Sequence, residues 1–255
     1  MRERQKTSSF NILFLSITIF LGLLIILAIG SLFFISSPSL VIKNILSPNL
    51  WYSIKLSVFT SIISTTIVMF FALPTGYTFS RYGFFGKNLF KAIIDLPIAF
   101  PETVLGLSLL LIFGHPVLSK ILPIVFTKKG IILAQFFTAI SFAVRILKTS
   151  FDSIDTHLEL VSRSLGQNQF KTFFKVTLPL AKNGIIAATV ITIARCMGSF
   201  GAVLIFAGGT PSKTDTLPVF LYLNLSYGNL DMAITAGIVL VLFSFVSIYI
   251  IEKYN

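Results

Sequence analysis

Charge is what this sequence has least of. Of its 255 residues only 11% are Asp, Glu, Lys or Arg, whereas a water-soluble domain carries about a quarter. With 55% hydrophobic residues and a mean hydropathy of +0.92, the composition excludes a soluble fold and leaves a polytopic membrane protein. Acidic residues are the scarcest, 9 against 20 basic, for a net charge of +11. A basic nucleic-acid binder presents its Lys and Arg on a soluble face; here they stand in short gaps between apolar runs, so nucleic acid is excluded as a partner. The single cysteine, Cys196, lies in an apolar segment, which rules out a disulfide framework or a cysteine zinc site and makes it a packing residue. The two histidines, His115 and His157, fall in or near connections without partners for metal or acid-base chemistry. No G-x-x-x-x-G-K-[ST] occurs, so nothing cradles a nucleotide phosphate.

What is there is apolar and long. About 20 apolar residues cross a bilayer core, and with that ruler six candidate spans appear at 10–35, 54–80, 92–113, 130–150, 183–207 and 230–251. The expected fold is therefore all-α, one membrane domain over 1–255 with no soluble domain at either end. "MRERQK" followed by apolar residues has the look of a signal peptide, yet the uncharged run from Thr7 to Ile42 far exceeds a cleavable h-region, so it reads as a retained span. Arg145 and Lys148 interrupt the end of the fourth span. The third holds Asp95, Pro97, Pro101 and Glu102, so it must be shielded from lipid or broken at its start. With the amino terminus inside, thirteen basic residues fall in inner segments, among them Arg2, Arg4 and Lys6; five fall outside, at Lys43, Lys120, Lys128, Lys129 and Lys213. Both termini and the 151–182 connection are expected inside. Asp215 and Asp231 read as solvated loop or cap residues.

That inner connection, "LELVSRSLGQNQFKTFFKVTLPLAKNG" (158–184), is the longest polar stretch. Helix formers run from Asp152 to Leu165 and from Gln167 to Val176, with Gly166 between them where a turn needs positive φ. Pro179 is expected to close the second piece and to keep Leu178 out of helix. Phe170, Phe173, Phe174 and Val176 form an apolar edge opposite Lys171 and Lys175. By periodicity the second helix lies on anionic lipid or plugs into a groove on a soluble partner, and the two readings are equally open.

At these residues the sequence resembles the EAA loop of ABC importer permeases, a pattern of Glu, small residues, Gly and then Leu-Pro. Glu159, Gly166, Leu178 and Pro179 match; Leu160 and Val161 stand where small residues are usual, and only Ser162 conforms. The resemblance implies a coupling helix seated in a cleft of an ATP-hydrolysing subunit, and it implies that Glu159, Arg163, Gly166, Phe170, Phe173, Phe174, Leu178 and Pro179 serve that coupling. Two further stretches, "DLPIAFPETVLGLSLLLIFG" (95–114) and "ARCMGSFGAVLIFAGGTPSKTDTLPVFLY" (194–222), are similar to the molybdate, tungstate and sulfate permease group. In the second stretch Ala194, Arg195, Gly198, Phe200, Gly201 and Ala202 match, as do Pro211, Thr214 and the Leu217-Pro218 pair. Ser199 replaces the expected Glu, so no gating role of that carboxylate carries over.

Physical chemistry singles out some of the same residues. Arg195 lies roughly 18 Å into the fifth span, near the bilayer midplane, where an arginine needs water, a carbonyl or a carboxylate. It either lines the path of an anion or pairs internally with Glu102 or Asp95. Gly198, Ser199 and Gly201 either allow close helix packing or set the width of a gate. Pro97 and Pro101 either kink the third span or start it late, aiming free amides at an anion. Arg195, Gly198, Ser199, Gly201, Pro101 and Glu102 are thus the candidates for pathway or gate.

The resemblance implies a permease subunit in the cytoplasmic (inner) membrane, moving molybdate or tungstate ahead of sulfate. It further implies two ATPase subunits that carry the ATP and Mg, an extracytoplasmic substrate-binding protein, and a second permease copy in a homodimer or a heterodimer. This subunit itself needs no cofactor and is not an enzyme. The alternatives are a permease for another small solute, a gradient-driven secondary transporter or channel, which calls for paired polar residues at midplane depth, and a membrane enzyme, for which no His, Asp or Ser constellation gathers on one side.

Overall fold

The computed structural model describes residues 9–35 and 37–254; Arg2, Arg4 and Lys6, used above for orientation, lie outside them. Among the described residues every regular element is helical. The first half comprises α1 (Ser9–Ile35), α2 (Pro38–Ile45), α3 (Pro48–Arg81), α4 (Lys87–Ala99), α5 (Glu102–Phe113) and α6 (Pro116–Ile121). Then come α7 (Lys128–Asp152), α8 (Thr156–Ser164), α9 (Gln169–Thr172), a π-turn over Phe173–Thr177 and α10 (Leu178–Leu180). The chain continues through α11 (Lys182–Gly198), α12 (Gly201–Ala207), α13 (Leu217–Ser226) and α14 (Leu230–Tyr254). Four helices, from α1, α3, α7 and α14, are long and apolar enough to cross a membrane unaided, and two bent pairs raise that to six.

The bundle is built around α3 and α7. Lipid tails are as apolar as leucine, so burial of apolar surface does little to join helices in a membrane; small residues and interhelical hydrogen bonds do more. Accordingly α3 buries Ser53, Ser57, Thr60, Ser61 and Ser64, which at steps of three or four fall on one stripe. At Gly76 a Cβ would lie 3.0 Å from the Leu147 Cβ of α7, so the lower ends of the two helices touch almost backbone to backbone. By contrast α1 is exposed along most of its length, reaching α14 where Leu32 lies over Gly237. It is shaped for lipid.

Several expectations are corrected. The third span, drawn as one element over 92–113, is α4 and α5 meeting at 109°. Pro101 has no amide hydrogen to continue α4, and its extended backbone caps α5. The fifth, drawn unbroken over 183–207, stops at Gly198 and restarts at Gly201. Alone, the 17 residues of α11 rise about 25 Å, less than the hydrocarbon core. Helix α13 was not anticipated. Nor is Asp215 solvated: it is 2% exposed and accepts a 3.2 Å hydrogen bond from Ser53 Oγ. Burial pushes its carboxyl above the usual aspartate range, opposed by hydrogen bonds from the backbone around Ser212 and Lys213. Asp231, in the first turn of α14, is exposed as expected.

Where α5 crosses α12, a Cβ on Gly106 would stand 2.9 Å from the Ala202 backbone, which cannot give way. Gly106→Leu is expected to cost about 1–3 kcal/mol through overpacking, read as a lower Tm of the detergent-solubilised protein. Gly22→Leu, with nothing within 4 Å of its added Cβ, is expected to leave Tm unchanged.

Candidate functional site

The inner hairpin is shaped by its caps. Asp155 accepts the His157 amide at 2.9 Å and starts α8. The helix ends as a Schellman turn: Gln167 N–H reaches the Ser162 carbonyl at 3.2 Å and Gly166 N–H the Arg163 carbonyl at 2.9 Å, with Gly166 at φ 84°. Only a residue free of a Cβ takes that conformation without strain. Asn168 then caps α9 through the Lys171 amide at 2.8 Å. The first hairpin helix, expected from Asp152, therefore starts at Thr156, and the second, expected from Gln167, starts at Gln169.

Pro179 does not close the second helix. Leu178 is helical, at φ −63° and ψ −45°, and its amide reaches back to the Phe173 carbonyl. That π-turn widens the helix, makes room for the proline ring and needs no amide from it. The chain turns only after Leu180, by 74° into α11.

Glu159 faces inward. It is 2% exposed, and its Oε1 lies 3.0 Å from Arg81 Nε and accepts from Thr177 Oγ1 at 2.9 Å. Its Oε2 accepts from Tyr77 OH at 3.2 Å and stands 3.8 Å from Arg163 Nη2. Arg81 also donates to the Ile154 carbonyl at 3.1 Å. One carboxylate thus joins both arms of the hairpin to the end of α3. Phe173 packs against Tyr77 and Phe151, with centroids at 4.8 and 6.3 Å, so it too is turned inward. What the hairpin presents outward is Phe170, 72% exposed, Phe174, 49%, and Leu165, 79%, along with Arg163, Pro179 and part of Leu178. Leu160 and Val161, the departures from the small-residue pattern, are exposed; Ser162 is buried, its hydroxyl 3.1 Å from Thr172 Oγ1. Bulk is tolerated at the two positions that face out, and the position that packs is small.

The second constellation lies where the two broken helices cross. Arg195 pairs with Glu102 at 3.2 Å and lies over the Phe142 ring at 4.4 Å. Of the two internal partners open to it, the structure selects Glu102; Asp95 pairs with Arg145 at 2.9 Å. Glu102 Oε2 also accepts the Phe200 amide at 3.1 Å, a donor that leaves the helical ladder at the Ser199–Phe200 break. The Cys196 carbonyl is met at 3.0 Å by Gln135 Nε2, and Gln135 Oε1 accepts from Ser64 Oγ at 2.8 Å. In hydrocarbon an unpaired backbone group costs several kcal/mol, so the break persists because side chains from α5 and α7 replace its lost bonds. Gly201 brings α12 close: its Cβ would lie 3.1 Å from the Thr103 amide and 3.2 Å from Glu102 Cβ. Ser199 is buried beside Thr138, 3.4 Å between hydroxyls. Gly198 is exposed with open space where a Cβ would be. Pro97 lies inside α4 and Pro101 at the start of α5. The sequence reading missed Tyr77, Arg81, Thr177 and Gln135 as site residues: Tyr77, Arg81 and Gln135 sit on the long helices α3 and α7, where a single polar residue carries no spacing signal, and Thr177 lies in the π-turn of the hairpin, where a lone threonine carries none either. Among the described residues no group of three His, Cys, Asp or Glu gathers to hold a metal.

Glu159→Ala strands the Arg81 guanidinium, whose side chain is 9% exposed, and is expected to cost about 3–5 kcal/mol, read as a fall in Tm. The double variant Glu159→Ala, Arg81→Met is expected to recover a large part of that loss. An unchanged Tm in Glu159→Ala places the residue at a surface and overturns the buried lock.

Comparisons with known proteins agree with this architecture. The sequence profile described as "Binding-protein-dependent transport system inner membrane component" matches residues 69–254. A probable molybdenum ABC transporter permease protein of Haloferax volcanii is 35% identical over 218 residues, 85% of this chain and 80% of that one. The molybdate/tungstate transport system permease protein WtpB of Pyrococcus furiosus is 36% identical over 186 residues, 73% of this chain and 71% of that one. The sulfate transport system permease protein CysW of Synechococcus elongatus is 35% identical over 186 residues, 71% of this chain and 65% of that one. Among solved structures, a chain of a bacterial ABC transporter that imports the acidic polysaccharide alginate superposes with a TM-score of 0.66 at 19% identity, over 98% of this chain and 99% of that one. At that identity the likeness shows the fold alone. The profile match and the 35% identity over most of the length make this chain a member of the binding-protein-dependent transport system inner membrane component family, a membrane-embedded ABC importer permease and not itself an enzyme.

Proposed function

We propose that this permease passes a tetrahedral oxyanion, molybdate or tungstate ahead of sulfate, inward across the cytoplasmic membrane. The observation that carries the substrate is the identity of 35–36% with permeases named for molybdenum, molybdate/tungstate and sulfate; the half-exposed Arg195 at the helix break supports it. Two permease copies form the pathway, an external binding protein delivers the anion, and two ATPase subunits dock on the hairpins. ATP and Mg belong to those subunits.

The outward aromatic pair Phe170 and Phe174, centroids 4.7 Å apart, fills the ATPase cleft. Closure of the nucleotide subunits draws the two hairpins together. Through Glu159 and Arg81 the displacement reaches α3, and through Ala181 it reaches α11, which ends at the crossing. There an arriving oxyanion exchanges with Glu102 for Arg195. The contact is weak because the carboxylate competes for the same guanidinium, and a weak contact lets the anion leave.

Phe170→Asp with Phe174→Asp is expected to cut ATPase co-purification about tenfold or more, since buried aromatic anchors dominate interfaces; full retention refutes the docking. Arg195→Gln is expected to keep the ATPase bound while uptake falls. For the substrate, the partner binding protein is titrated with molybdate, tungstate and sulfate; binding of a sugar or amino acid in their place sinks the oxyanion assignment and leaves the docking intact.

A further inference from the structure

Between α4 and α7, at the end of the bundle that carries the hairpin, lies a cavity of about 200 Å³. A water occupies about 30 Å³, so there is room for one tetrahedral oxyanion with waters around it. Its polar lining is Lys91, Asp95, Arg145, Lys148 and Thr149, over a floor that includes Phe79. Three cations face one carboxylate. Arg145 spends one Nη2 proton on Asp95 at 2.9 Å, and Lys148 bonds to Asp152, which is itself held by Ser80 Oγ at 2.7 Å. The Lys91 side chain has no ion-pair or hydrogen-bond partner among the described residues. Arg145 Nε and Nη1, the remaining protons of Lys148 and all three of Lys91 are left as donors. Basic residues at an inner membrane end are ordinary; three of them turned into one cavity, with the charge of one unmatched, are not accounted for by orientation.

We infer that this cavity is a binding site for a tetrahedral oxyanion group at the coupling end of the permease. Lys91 supplies the uncompensated charge, Arg145 a fork of planar donors and Lys148 a third contact. The same chemistry comes from two sources, a free oxyanion or the phosphate of an anionic lipid headgroup. A free oxyanion there is the transported anion on its way out, and that part rests on the proposed substrate.

The test is calorimetric titration of the purified full-length permease, in nanodiscs of phosphatidylcholine alone at low ionic strength, with molybdate, sulfate and phosphate. One site per chain is expected, weakened by salt. Lys91→Ala is expected to weaken it about tenfold or more, the size of one lost charge-assisted contact; Lys91→Arg is expected to keep it, and Lys253→Ala to leave it unchanged. Should Lys91→Ala fail to fold, Lys148→Gln reads the same loss. A parallel arm exchanges in phosphatidylglycerol and counts retained lipid by native mass spectrometry; retention that depends on Lys91, without free-anion binding, makes the headgroup the source. No binding in either arm, or binding that both substitutions leave intact, overturns the site. Phosphate can fill this cavity in a permease whose binding protein takes no oxyanion, and a molybdate importer can leave it empty, so this site and the substrate assignment fail separately.

Discussion

The contact on which the rest depends is the buried pair between Glu159 and Arg81. A hairpin of two short helices has too little apolar surface to hold itself in place, and isolated helices of that length are marginal in water. The Glu159 carboxylate, with a guanidinium at 3.0 Å and hydroxyls from Tyr77 and Thr177, fixes both arms to the end of α3. Burying the pair is costly, and net stabilisation is not its evident gain. What it supplies is rigidity: with every oxygen occupied, a displacement of the hairpin is a displacement of a transmembrane helix.

At the other end of that helix system the problem is reversed. Two apolar helices are interrupted inside the membrane, where lost backbone bonds have no water to turn to. Glu102 and Gln135 supply the replacements, and Gly201 and Gly106 let the interrupted segments cross at backbone distance. The same carboxylate that satisfies the Phe200 amide neutralises Arg195. An arginine within an apolar helix is costly unless a carboxylate answers it, and Glu102 does so here.

Polar groups buried in this protein therefore do two kinds of work. The hydroxyl stripe of α3 and the Gln135 bonds join helices that apolar surface alone would not hold together. The ion pairs of Glu159 and Glu102 tie together elements distant in sequence, α8 to α3 and α5 to α11. The basic cavity by Lys91 belongs to neither set, since its charge remains open.

Composition alone decided that this chain lives in a membrane, because 11% charge cannot cover a soluble surface of this size. Gly166 was legible as a turn, since a positive φ admits little else, and Pro101 as a possible break in the third span. The position of long apolar helices followed from a length that the bilayer imposes. Only the tertiary structure decided that Glu159 and Phe173 face inward, that Arg195 takes Glu102 over Asp95, that a helix runs through Pro179, that Asp215 is buried and that the fifth span breaks at Ser199. Each of these outcomes turns on a partner brought from 18 to 162 residues away, or, at Pro179, on a π-turn five residues long. Local propensity records what a residue prefers among its neighbours in sequence; which distant donor or carboxylate answers a buried group is set by how the helices pack.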